Sequence, residues 1–154
     1  MNSSPLSRLP AELRIRVYEF ACVADNASTI SFRYPWGPPR LLQTCRQLRA
    51  EAMPVYYGKT TFIALEGQLS TLAPLETWLR MIGNDARELL RTIHLDLYVA
   101  SVSLAKAKES SKFYAKQLKG HGFVMPKTKL CIPYFEDLEE NDDDHGDVMW
   151  ASAE

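Results

Sequence analysis

The chain has 154 residues, 46% of them hydrophobic and 24% charged, with a net charge of −1. Those figures fit one domain of ordinary globular composition, long enough to form a core without metal or disulfide staples. Three widely spaced cysteines, Cys22, Cys45 and Cys131, argue against a disulfide scaffold, and no stretch nears the ~20 apolar residues of a membrane span.

The segment from Leu9 to Cys22 reads as the clearest helix. Pro10 suits a first helical position, and Leu9, Leu13, Val17 and Phe20 recur at helical spacing, with Ile15, Tyr18 and Cys22 widening the apolar arc. Residues 24–40 break this pattern. Thr29 to Phe32 alternate as a short strand would, and Pro35, Gly37, Pro38 and Pro39 mark a loop. A second helix is expected from Leu41 to about Tyr56, with Leu41, Cys45, Leu48, Ala52 and Val55 as its inward stripe. Pro54 should kink or loosen its last turn, and Gly58 should stop it. Cys22 and Cys45 fall on apolar helix faces and are expected in the core.

Thr60 to Leu65 is rich in β-branched and aromatic residues and reads as a strand. A third helix carries Leu72, Leu75, Trp78, Leu79 and Ile82, closes at Gly83, and is followed by a short helical turn around Ala86–Leu90. Ile93, Leu95, Leu97 and Val99 alternate with His94, Asp96 and Tyr98, giving the best strand pattern in the chain. Residues 102–119 favour helix on a thin apolar face of Leu104, Phe113, Tyr114 and Leu118. Leu130 to Phe135 reads as a further strand, which Pro133 would place at an edge. The order implies an α/β domain over residues 5–135. Its N-terminal helical pair packs with a small mixed β-sheet and crossover helices.

The net charge hides a partition. Residues 1–135 carry a net +8, while residues 136–154 carry nine acids and no Lys or Arg. That end is expected to be a disordered acidic tail. Up to Arg91 the cations are arginine except Lys59, whereas Lys106 to Lys129 are all lysine. The lysine-rich stretch, with Phe113, Tyr114 and Phe123 interleaved, is the feature that would suit nucleic acid; a solvated amphipathic helix is the plainer reading.

Reaction chemistry is sparse. The sequence has no G-x-S-x-G elbow, no Gly-rich phosphate loop and no C-x-x-C pair. His94 and Asp96 share a strand face but lack a third ligand nearby, and the calcium-loop-like run from Asn141 to Gly146 would need a Glu where Ser152 stands. A non-enzymatic chain with no cofactor and no metal is therefore expected, placed in the cytoplasm or nucleus.

Two segments carry a resemblance. They are Leu9-Pro10-Ala11-Glu12-Leu13-Arg14 with Val17-Tyr18-Glu19-Phe20-Ala21, and Leu41-Leu42-Gln43-Thr44-Cys45-Arg46-Gln47-Leu48-Arg49-Ala50-Glu51-Ala52, followed by Tyr57-Gly58 and Phe62. In this order, and over residues 5–99, the chain resembles the filamentous-fungal F-box-like proteins and the related ExR-motif family. The resemblance implies docking on a Skp-family adaptor of a cullin–RING ubiquitin ligase, with the remainder presenting an unknown protein substrate. It assigns Leu9, Pro10, Leu13, Val17 and Phe20 to the first docking helix and Leu42 and Arg49 to the second element, with Cys45 and Leu48. The same apolar residues would also make a good internal helix–helix core, which is the expected place of Leu13, Val17, Cys45 and Leu48, and Arg14, Arg46 and Arg49 have Glu12, Glu19 and Glu51 as candidate internal partners.

Overall fold

The computed structural model describes residues 5–23, 27–30, 37–65, 72–96, 103–125, 128–134 and 149–152. After a 3-10 turn at Pro5–Arg8 come α1 (Ala11–Cys22), β1 (Ala27–Ile30), a 3-10 turn at Arg40–Gln43, α2 (Arg46–Lys59) and β2 (Thr61–Leu65). Then follow α3 (Ala73–Leu89), β3 (Thr92–Asp96), α4 (Leu104–Gly120), β4 (Lys129–Tyr134) and β5 (Met149–Ser152). No described helix is long and apolar enough to cross a membrane.

The strands form one mixed sheet in the order β1-β2-β3-β4-β5, the first four parallel and β5 antiparallel to β4. Each parallel strand lies beside its predecessor, and a helix bridges each step. Right-handed crossovers, the rule for such connections, put all three bridging helices on one face. Burial agrees. Phe62, Ala64, Ile93, Leu95, Leu130 and Ile132 are buried, while their alternating neighbours Thr61, Ile63, Thr92, His94 and Pro133 are only partly covered; Cys131, on that second face between β3 and β5, is buried too. Phe62 is the centre of the covered face, with its ring centroid 4.8 Å from Trp78 of α3 and 5.6 and 5.9 Å from Tyr56 and Tyr57 of α2.

The fold class is as the alternation and helix periodicity imply, an α/β domain whose α1–α2 pair packs onto a mixed sheet. Several element boundaries differ. Pro10 is the N-cap of α1, with ψ at 151°, and the helix begins one residue later. The helix expected from Leu41 is split, because Cys45 is extended (φ −150°, ψ 165°) and separates a 3-10 turn from α2. Cys45 is therefore exposed at an N-cap rather than in the core, its Sγ accepting the Leu48 backbone N–H at 3.5 Å. Pro54 does not end α2, which runs to Lys59. The amide donor that proline lacks would have served residue 50, on an exposed stretch.

A thiol is a poor acceptor, so α2 is under-capped. Cys45→Ser should raise stability by about 0.5–1 kcal/mol by placing a better acceptor at the same position. Thermal unfolding of the variant checks this, and a lower midpoint would count against the capping role.

Two further expectations change. The inner face of α4 is made by Ala107, Ser111 and Leu118, while Leu104 and Phe113 are exposed. Small residues let the helix approach the sheet closely enough for Ser111 Oγ to donate to the Leu130 carbonyl at 2.7 Å. β4 is not an edge, since Met149–Ser152 from the acidic end forms β5 alongside it. Pro133 is tolerated because β4 pairs with β3 only as far as Cys131. The rest of the expected tail, like the expected strand end at 97–99, lies outside the described residues.

Candidate docking surface

α1 is held to α2 by polar contacts rather than by its aliphatic residues. Tyr18 is the one residue of the helix that is buried, and its hydroxyl donates to Glu51 Oε2 at 2.8 Å. Arg14 Nε donates to the same oxygen at 2.8 Å, and its Nη1 reaches back to the Leu9 carbonyl at 2.8 Å. Gln47 donates to the other carboxylate oxygen at 3.1 Å. Hydrogen bonds from Tyr18, Gln47 and Arg14 hold the Glu51 carboxyl below its usual range. Burial, and then the bond to Glu51, push the Tyr18 hydroxyl up. A second tie links Lys59 near the end of α2 to Glu19.

This clamp decides which way α1 faces. At ~100° per residue, Leu13, Val17 and Phe20 lie about 100–160° around the helix from Tyr18. They form one stripe at i, i+4, i+7, and their exposures are 49%, 36% and 83%. Ile15 is exposed as well, on a different azimuth. Pro10 is exposed at the N-cap and Leu9 is partly buried beside it.

The second helical element divides otherwise. Leu42 is only 3% exposed and belongs to the core, so it is not a docking contact. The 3-10 turn at Arg40–Gln43 resets the helical phase and turns this leucine, rather than Leu41, fully inward. Arg49 is exposed, and its Nε donates to the Leu42 carbonyl at 2.8 Å, tying the 3-10 turn to α2. The structure thus brings Leu13, Val17 and Phe20 together on one surface, sets Leu9 and Pro10 at its start, and places Leu42 and Arg49 away from it, Leu42 in the core and Arg49 beside the 3-10 turn. The anchoring role of Tyr18 is the residue function that the apolar pattern hides, since the hydroxyl's partner is 33 residues away.

On the partly covered sheet face, His94 stacks on Trp150 of β5, ring centroids 3.9 Å apart at 22°, and lies opposite Cys131 of β4. Burial holds the His94 imidazole below its usual value of 6.5. The unfolded chain then takes up a proton before the folded one does. Stability should therefore fall as pH drops from about 6.5 toward the lowered folded value, and be unaffected above that window. Urea unfolding from about pH 7.5 to about pH 5, compared with His94→Phe, reads this directly. A wild-type-minus-variant difference independent of pH would contradict it.

No family model, curated protein or solved structure matches the chain.

Proposed function

We propose that the chain is a protein-interaction module of the fungal F-box-like type, acting through binding rather than catalysis. In this reading α1 docks a Skp-family adaptor of a cullin–RING ubiquitin ligase, and the rest of the domain presents a protein substrate. The observation that carries the proposal is the outward stripe of Leu13, Val17 and Phe20. Three large apolar side chains on successive turns expose surface that water solvates poorly, and helix-in-groove recognition uses this spacing. The clamp of Arg14 and Tyr18 on Glu51 occupies the inner face, so docking requires no rearrangement of α1.

Co-expression with the fungal Skp-family adaptor, followed by size-exclusion chromatography, tests the reading. The wild-type chain should co-elute. Val17→Asp and Phe20→Asp should abolish co-elution while leaving the fold intact, because neither side chain belongs to the core. A folded chain that never co-elutes, or co-elution indifferent to both variants, overturns the proposal.

A second reading has its own observation. Lys108, Lys112, Lys116 and Lys119 are exposed along one side of α4, with Phe113 55% exposed nearby. That arrangement suits the backbone and bases of a nucleic acid, and such binding would weaken steeply with salt. Docking through α1 would be far less salt-sensitive.

A further inference from the structure

Between α2 and the second half of α3 lies a hollow of about 350 Å³. Its apolar lining is Ala50, Met53, Pro54 and Leu89, with Arg46 and Arg49 on the α2 side and Asp85 on the α3 side. The two arginines are three residues apart and so project to one side of the helix. They sit in its first turn, where the helix dipole adds to the positive field.

Among the described residues neither guanidinium is spent on a carboxylate. The ion pairs among the described residues are Arg14–Glu51, Lys59–Glu19 and Arg80–Glu76, with His121 also beside Glu76, and none of these contacts involves Arg46, Arg49 or Asp85. Arg49 is also held in place, since its Nε donates to the Leu42 carbonyl, and its two terminal nitrogens make no hydrogen bond or ion pair among the described residues. A guanidinium fixed through one nitrogen loses less freedom on binding an anion than a mobile one.

We infer that this hollow binds the C-terminal residue of a protein chain, an apolar side chain carrying a free α-carboxylate. Each part of that residue meets a matching group. The carboxylate faces Arg46 and Arg49, the side chain rests on Met53, Pro54 and Leu89, and the residue's backbone N–H faces the Asp85 carboxylate. Asp85 also decides against the main competing anion. A phosphate carries up to two negative charges and no N–H donor, so it would be repelled where a peptide end is received. The inference does not depend on adaptor docking, because it uses no α1 residue.

The test is fluorescence polarisation on the full chain with a short fluorescein-labelled peptide ending in leucine. The free-carboxylate peptide should bind saturably, and the same peptide amidated at its end should bind at least about tenfold more weakly, the equivalent of about 1.4 kcal/mol. Arg46→Glu should weaken the carboxylate peptide by a similar factor without lowering the thermal midpoint, since Arg46 makes no hydrogen bond or ion pair among the described residues and an acid suits the first turn of a helix. Phe20→Asp should leave peptide binding unchanged, which separates this site from the α1 surface. Equal binding of the two peptide forms, or no saturation by about 1 mM, overturns the inference. Tighter binding of an amidated phosphoserine peptide also overturns it and assigns the hollow to phosphate.

Discussion

Phe62→Ala should destabilise the domain by about 3–5 kcal/mol, the range for emptying a fully buried aromatic position. Phe62 has no solvent exposure, and its ring is the common neighbour of Tyr56, Tyr57 and Trp78. The alanine would leave a cavity between β2, α2 and α3, lined by three large rings that cannot all move into it. Tilted and edge-on ring contacts add to the loss beyond the area uncovered. The thermal midpoint should fall by about 6–20 °C for a domain of this size. Phe62→Leu keeps most of the volume and should cost roughly 1 kcal/mol. Urea unfolding of both variants checks the pair. A loss below about 1 kcal/mol for the alanine would mean that the aromatic cluster is not where the layers are joined.

That cluster also explains why the sheet was legible in the sequence. Parallel strands buried on both faces read as unbroken apolar runs, whereas strands covered on one face alternate. Ile93 and Leu95 alternate with Thr92 and His94, so β3 and its inward face could be read directly, whereas Thr61–Leu65 was legible as a strand only from its β-branched and aromatic residues, with Ile63 hiding which face turns inward. The α1–α2 pair was legible from its periodicity, but the orientation of α1 was not. Its inward side is marked by Tyr18 and Arg14, whose worth comes from a shared carboxylate at position 51. Hydropathy would have turned Leu13 and Val17 inward. A distant hydrogen-bond partner outweighs them, because an unpaired buried hydroxyl or guanidinium costs more than an exposed aliphatic side chain.

Leu42 and β5 show two other limits. Spacing cannot tell which of Leu41 and Leu42 faces inward when a 3-10 turn and an extended Cys45 interrupt the helical phase. Met149–Ser152 is a four-residue strand next to an acidic run, so composition assigned it to the tail. Its partner β4 and the ring of His94 supply what the local sequence lacks, namely a ladder to join and a face for Trp150 to cover. The candidate site divides on the same line. The stripe of Leu13, Val17 and Phe20 was visible as a stripe, while its exposure depended on a contact between helices.

Gly83→Ala should cost about 1–3 kcal/mol, and the whole of that cost should come from the backbone. Gly83 sits inside α3 at φ 79° and ψ 174°, a region essentially closed to residues with a Cβ. An alanine Cβ there would meet nothing within 4 Å, so no steric clash with the rest of the protein contributes. The expected stop at Gly83 is thus a joint, with helix resuming on its far side toward Leu89. What the joint achieves is the placement of that second segment. Ala86 and Leu90 enter the core, Asp85 and Leu89 line the hollow beside α2, and Arg87 lies over the Phe123 ring at 5.3 Å while its Nε donates to the Gly83 carbonyl at 3.3 Å. Gly120, at the end of α4, also has open space around its Cβ position but ordinary φ, so Gly120→Ala should be neutral or stabilising by up to about 1 kcal/mol. Unfolding measurements on both variants separate conformational strain from the general effect of replacing glycine. If the two variants behaved alike, α3 would have to run straight through position 83, and the surface shared by Asp85 and Leu89 with α2 would have to be redrawn.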